Sequence, residues 1–319
     1  MKILAIQNRM GIGDTVIFLP FIKAISKHYN TPVSILVKKT SKAEEFLYQT
    51  EYIDQILILE RNNKNGRHDG IIGSVNLIRE LAKYKFDIVF IFNSSLRYNI
   101  ISIFAGIKKI YQYPLFEKKN QNFINEAKNL IKKELLLDVE ENPKIYVDEN
   151  LINDAAVNFG VNKEQVNILL GIGGSGPTKR IPAKTFLKVI EEIIKIKDCK
   201  FFLATGKSLE EQIILNELLN SNFKDRLIRL DNLTIRETLP IIKNCDVSIC
   251  NDTSFSHLSS ALGIETITLM ADTPLMYGSY SSKMHPIIPD GFETVSHNTL
   301  GKDKINPNKI LDKLKNILS

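Results

Sequence analysis

The chain has 319 residues, 44% hydrophobic and 24% charged, with a formal charge of +6 from 42 Lys and Arg against 36 Asp and Glu. The length suits two domains of roughly 150 residues each, and the composition excludes a disordered or membrane-spanning chain. The positive balance suits an anionic small molecule or a membrane surface; without a concentrated basic tract, it argues against a nucleic-acid partner.

The chain opens on a short strand-like run, Lys2 to Gln7, which lacks the long apolar region of a signal peptide. Cys199, Cys245 and Cys250 lie in or beside apolar runs without metal-ligand spacing. Buried free thiols in a reducing cytoplasm are therefore expected. Strand-like and helical patterns then alternate: Thr15 to Tyr29, Val33 to Val37, Ser41 to Thr50, Gln55 to Leu59, Ile71 to Lys85 and Asp87 to Phe92. Such alternation predicts parallel strands joined by crossover helices, and hence a doubly wound α/β domain.

The first turn is Asn8-Arg9-Met10-Gly11-Ile12-Gly13-Asp14. It is not a dinucleotide fingerprint: Val16 stands at the third glycine, and Lys38 and Lys39 stand where a ribose-binding acid belongs. Asp14 reads as a helix N-cap or as a base at the carboxyl end of the strands, and one residue can be both. Two polar stretches, 61–70 and 117–122, read as solvated loops or as a basic lip for an anionic acceptor. After a helical stretch from Phe123 to Leu137, the polar segment from Asp138 to Pro143 marks the domain boundary.

Alternation restarts with strand Val166 to Leu170 and runs to strand Glu265 to Met270. Two nucleotide-fold domains facing each other across a cleft are expected: 1–148, 149–305, and a last helix within 306–319 that packs back on the first domain. The turn after the first strand of this half is Gly171-Ile172-Gly173-Gly174-Ser175-Gly176-Pro177-Thr178-Lys179-Arg180. Its glycines predict positive φ or a close backbone approach, and amides, hydroxyls and an ammonium together suit a diphosphate. The spacing is not that of a P-loop, where Ser or Thr follows Gly-Lys at once. A second cluster, Asn251-Asp252-Thr253-Ser254-Phe255-Ser256-His257-Leu258, lies between a strand and a helix. One N-cap explains one of Asp252, Thr253 and Ser254; the others and His257 make a second wall for phosphates.

Three motifs in order, Gly11-Ile12-Gly13-Asp14 with Leu19-Pro20, Pro177-Thr178-Lys179-Arg180-Ile181-Pro182, and Asp252 to Leu258 with Ala261-Leu262-Gly263, resemble the bacterial heptosyltransferase family, glycosyltransferase family 9. The resemblance implies a GT-B fold and inverting, metal-independent transfer of a sugar, heptose from ADP-heptose, to a lipopolysaccharide-core or other glycan acceptor. It implies Asp14 as base and Lys179 as phosphate ligand. The donor set would be Gly173, Gly174, Ser175, Gly176, Thr178, Lys179, Glu210 (or Glu211), Leu233, Asp252, Thr253, Ser254 and His257. Arg9, Gly11 and Gly13 would face the acceptor.

It also implies a nucleotide diphosphate sugar, ADP-linked, as donor substrate in place of a cofactor. An anionic glycan or glycolipid acceptor and peripheral association with the inner face of the cytoplasmic membrane complete the expectation. Ile181, Ser254 and Met270-Ala271-Asp272-Thr273-Pro274 depart from the family pattern, which bears on the donor sugar. Other readings are a different nucleotide sugar or a protein acceptor, a non-catalytic nucleotide-sugar-binding subunit, and a nucleotide-sugar 2-epimerase. The last is disfavoured because the first half holds only His28 and His68.

Overall fold

A computed structural model describes residues 1–61, 66–115, 122–139 and 142–319. Most of the stretch 117–122, the middle of 61–70 and Glu140-Glu141 of the expected boundary lie outside the described residues. The chain divides into two compact units, Met1–Pro143 and Lys144–Ser319, so the division falls five residues before the expected 148/149.

The first unit runs β1 (Ile3–Ile6), α1 (Ile12–Tyr29), β2 (Val33–Lys38), α2 (Ala43–Phe46), β3 (Ile53–Leu59), α3 (Gly70–Tyr84), β4 (Ile88–Ile91), α4 (Leu96–Phe104), β5 (Lys109–Gln112) and α5 (Phe123–Leu135). Its described strands form a parallel sheet in the order β3-β2-β1-β4-β5, with Ile3 facing Val33 on one side and Ile88 on the other. Central β1 and β4 are buried throughout, as continuous apolar runs require when helices cover both sheet faces. β3 is an edge strand and only half-buried over Ile56–Ile58. Asn122 caps α5 by accepting the Ile124 and Asn125 amides, and that helix packs on α1.

The second unit runs α6 (Glu149–Asn158), β6 (Val166–Gly171), α7 (Ala183–Ile193), β7 (Cys199–Ala204), α8 (Leu209–Leu219), β8 (Leu227–Arg229), α9 (Ile235–Lys243), β9 (Val247–Asn251), α10 (Ser254–Ala261), β10 (Glu265–Leu269), β11 (Met284–Ile287) and α11 (Pro307–Leu318). Its sheet order is β11-β10-β9-β6-β7-β8, again parallel. α7 buries Phe186, Val189, Ile190 and Ile193, the i, i+3, i+4, i+7 stripe of an amphipathic helix. The apolar face of α11 enters the core of its own unit. Ile310, Leu311 and Leu314 are buried in the core of the second, against α7.

Strand order reverses once in each unit, between β1 and β4 and between β6 and β9. In open α/β sheets the ligand crevice lies at that reversal, beyond the carboxyl ends of the strands. Asp14 follows β1, and the Gly-rich turn and Asp252 follow β6 and β9.

Candidate functional site

The turn after β6 is held by close packing rather than by unusual backbone angles. None of Gly171, Gly173, Gly174 and Gly176 has positive φ, which leaves close approach as the expected role of these glycines. A Cβ on Gly171 would stand 2.6 Å from the Cys250 Sγ, and one on Gly173 would stand 2.5 Å from the Glu211 Oε1. Around Gly176 the space is open. The Gly174 amide donates to the Glu211 carboxylate at 3.0 Å, so this amide is already engaged within the protein. Glu211 also completes the capping box of α8 with Ser208. Of the adjacent acids, Glu210 is the exposed one, 4.0 Å from Arg180, while Glu211 braces the turn. Arg180 donates from Nε to the Gly174 carbonyl at 3.0 Å. Ser175 is exposed and Gly176 partly so. A short helical turn, Pro177–Lys179, separates the glycines from α7, so the turn does not feed α7 directly.

Lys179 reaches across the strand reversal and donates to the Asp252 Oδ2 at 2.7 Å. Asp252, side chain 5% exposed, also has the His257 Nε2 4.0 Å from its other oxygen. Burial works against the Asp252 charge, but Lys179 and His257 outweigh it and hold the carboxyl below the usual range. The His257 Nδ1 lies 2.8 Å from the Tyr280 hydroxyl, with the two rings stacked at 5.6 Å. Burial, with Asp252 nearby, pushes the Tyr280 phenol well up, so it stays protonated. Thr253 is the N-cap of α10: its Oγ1 accepts the Phe255 amide at 3.3 Å and keeps its own proton for donation. Ser254 opens α10, half-buried.

Asn251, which the sequence placed in this cluster without a role, ties the Ile172 and Gly173 carbonyls with its Nδ2, while its buried Oδ1 has no partner among the described residues. Sequence reasoning missed the role of Asp272. It accepts the Leu300 amide at 2.8 Å and a hydrogen bond from Thr178. Burial opposes the Asp272 charge, yet these bonds keep its carboxyl below the usual range. Thr178 is thus held on the β10 side while Lys179 is held on the β9 side. Leu233, half-buried, lies in the turn before α9, its amide on the Leu230 carbonyl. Ile181 is fully buried in the core, and Ala271 nearly so.

In the first unit, α1 begins at Ile12, so Asp14 is not an N-cap. It sits one turn inside, where its Oδ2 accepts the Gly11 amide at 3.0 Å and its Oδ1 accepts the Arg9 Nε at 2.8 Å. The Arg9 guanidinium also lies 4.1 Å from the Phe123 ring centre. Each carboxylate oxygen retains a lone pair for a further donor. Beyond β1 and β4 stand Gln7 and Asn93, whose buried amide nitrogens have no partner among the described residues. Buried polar groups are nearly always satisfied, so two unpartnered donors at the strand reversal point to a ligand or ordered water there. His68 is fully buried between the Glu60 amide and Glu80, and His28 is exposed near the end of α1. The described part of the first polar loop is therefore anchored rather than merely solvated.

Compared with known proteins, residues 74–288 match the model of glycosyltransferase family 9 (heptosyltransferase). The chain is 25% identical to lipopolysaccharide heptosyltransferase 1 of Campylobacter coli, over 95% of this chain and 93% of that protein. The solved glycosyl transferase family 9 structure from Veillonella parvula superposes with a TM-score of 0.79 at 18% identity, covering 99% of this chain and 97% of that one. An E. coli heptosyltransferase solved with ADP gives 0.72 at 12% identity, covering 99% and 100%. These two likenesses concern the fold, which is GT-B: two parallel-sheet α/β units.

Proposed function

The chain belongs to glycosyltransferase family 9 and is a glycosyltransferase, and from that premise we propose that it moves heptose from ADP-heptose to a hydroxyl of a lipopolysaccharide-core-type acceptor. The observation that carries this reading is the Lys179–Asp252–His257 cluster beside the Gly-rich turn at the strand reversal of the second unit. Ser175, Gly176, Thr253, Ser254 and Lys179 would receive the diphosphate. Lys179 leaves Asp252, or shares itself with it, to meet the charge that grows on the departing phosphate, a preorganised electrostatic contribution. Thr178, held by Asp272, would fix the turn, and Glu210 and Leu233 would lie on the nucleoside side. Gly173 and Gly174 would serve by their lack of a side chain.

Asp14 would take the proton of the acceptor hydroxyl as that oxygen attacks the anomeric carbon opposite the leaving diphosphate. One displacement inverts the anomeric centre and releases ADP. Arg9 and the Gly11 amide orient the carboxylate, and Gly13 lets the acceptor approach. Gln7 and Asn93 are added to this acceptor set as amide donors for its hydroxyls.

The test incubates ADP-heptose with a lipid-linked core acceptor and reads product anomers by NMR. An inverted heptoside, formed equally with EDTA present, is expected. A retained anomer, a requirement for a divalent ion, or transfer from a different nucleotide sugar only would overturn the corresponding part. An epimer formed without acceptor would overturn the whole, although the structural use of His68 weighs against it. Peripheral association with the cytoplasmic face of the inner membrane follows if the acceptor is lipid-borne.

A further inference from the structure

α3 and α4 lie on the same side of the first sheet, where Leu77 and Leu81 of one and Tyr98 and Ile101 of the other join a single core. Helical geometry sets Ile71, Ile72 and Val75 of α3, and Leu96, Ile100 and Ile103 of α4, on the faces opposite those buried residues. An amphipathic helix in water should carry polar residues there. Instead Ile71 is 86% exposed, Ile72 79% and the neighbouring Phe104 71%. Isolated exposed apolar residues need no explanation, but seven large ones on two touching helices form a patch that does.

The exposed charges on and just beyond the two helices have one sign, while half-buried Asp69, the N-cap of α3, accepts the Gly66 amide at 2.7 Å and lies 4.0 Å from Arg61. Arg79 and Lys83 lie on the outer face of α3, Lys85 just beyond it, and Lys108 and Lys109 just beyond α4, all exposed. α3 and α4 together carry one acid, Glu80, and its carboxylate is taken by Arg67 and His68. A second copy of the chain fits poorly, since a two-fold pairing of this face would set cations against cations. An apolar surface rimmed by Lys and Arg, without free acids, matches the boundary between anionic headgroups and acyl chains.

We propose that the outer face of α3 and α4 docks on an anionic phospholipid bilayer, Ile71, Ile72, Ile103 and Phe104 entering the headgroup–acyl boundary while the basic rim faces lipid phosphates. The inference deepens the proposed use of a lipid-borne acceptor, but it rests on the surface of the first unit alone, so either can fail without the other.

The chain contains no tryptophan, so Phe104→Trp in the full chain installs a single reporter at an exposed position. With vesicles of phosphatidylglycerol and phosphatidylethanolamine, its emission should shift to the blue and be quenched by brominated acyl chains. High salt should weaken the response, and phosphatidylcholine vesicles should give little of it. In flotation, Ile72→Asp with Ile103→Asp should cut the vesicle-bound fraction about tenfold at an unchanged melting temperature. Unshifted emission with anionic vesicles overturns the proposal. So does a blue shift without vesicles that follows protein concentration and a doubled mass by light scattering, which would make the face a contact between copies.

Discussion

Asp252 is a carboxylate with almost no access to water whose charge is kept by two neighbours, Lys179 at 2.7 Å and His257 at 4.0 Å. Because its folded pKa is depressed, its contribution to stability is present above the ordinary aspartate value of about 3.9. That contribution is lost as the pH falls through the lower folded value. Asp252→Asn should therefore flatten the acid limb of the stability curve below about pH 4, read by denaturant unfolding at stepped pH. A limb identical to the wild type would deny Asp252 this role.

Asp14 calls for a different substitution. Alanine would remove both the base and the bond to the Gly11 amide, the latter a cap interaction of about 1 kcal/mol. Asp14→Asn keeps an oxygen for that amide but cannot accept a proton. Turnover should drop about 100- to 10,000-fold, with the melting temperature and donor affinity little changed. Retained turnover would remove Asp14 from the chemistry. The residue types at Asp14, Lys179, Asp252, Thr253 and His257 announced themselves in the sequence, because each sits within a short motif beside a strand end. Asp272, Tyr280, Gln7 and Asn93 did not. Their partners are distant in sequence, as with Asp272 and Leu300, or absent among the described residues, as for the Gln7 and Asn93 amides.

At the scale of elements, alternation of apolar runs and amphipathic stretches made the doubly wound plan readable, because buried parallel strands and one-sided helices leave different periods. Four elements escaped. α4 and β5 are short and rich in isoleucine and aromatic residues, so strand and helix patterns merge across 96–112. α6 is brief, with a weak apolar stripe. β11 contains Pro286, which lowers any strand reading, and the structure resolves the conflict by placing it at the sheet edge. Of the two reasons for glycine in the turn after β6, positive φ and close approach of the backbone, the structure uses close approach, here to neighbouring side chains. This makes a prediction. Gly171→Ala forces a methyl into the Cys250 side chain and should cost about 1–3 kcal/mol in unfolding free energy. Adding Cys250→Ala should recover part of the loss; no recovery would place the cause elsewhere.

Across the molecule, each unit has its own core and its own strand reversal. Which core the apolar face of α11 enters could not be settled by its sequence, since an amphipathic stripe says that a face is buried but not by what. The three thiols all lie in the second unit. Burial, the leading cause in each case, pushes Cys199 up to about 11 and Cys250 up to about 12, and Cys245 well above its ordinary value. At pH 8, iodoacetamide should leave them unmodified in the native protein and alkylate all three after unfolding, as counted by mass spectrometry. Rapid native alkylation would contradict their burial.

The proposed transfer requires the second unit to be the seat of a nucleoside diphosphate. Calorimetric titration of the full chain with ADP, UDP, GDP, CDP, dTDP and ADP-heptose, repeated on Lys179→Met, tests it directly. Methionine keeps an apolar stem and removes the ammonium. ADP and ADP-heptose should bind best, and Lys179→Met should weaken them about 10- to 100-fold, or roughly 1.4–2.7 kcal/mol. Preference for another nucleotide would change the donor. Failure of every nucleoside diphosphate to bind the folded protein, or binding indifferent to Lys179, would contradict the site itself.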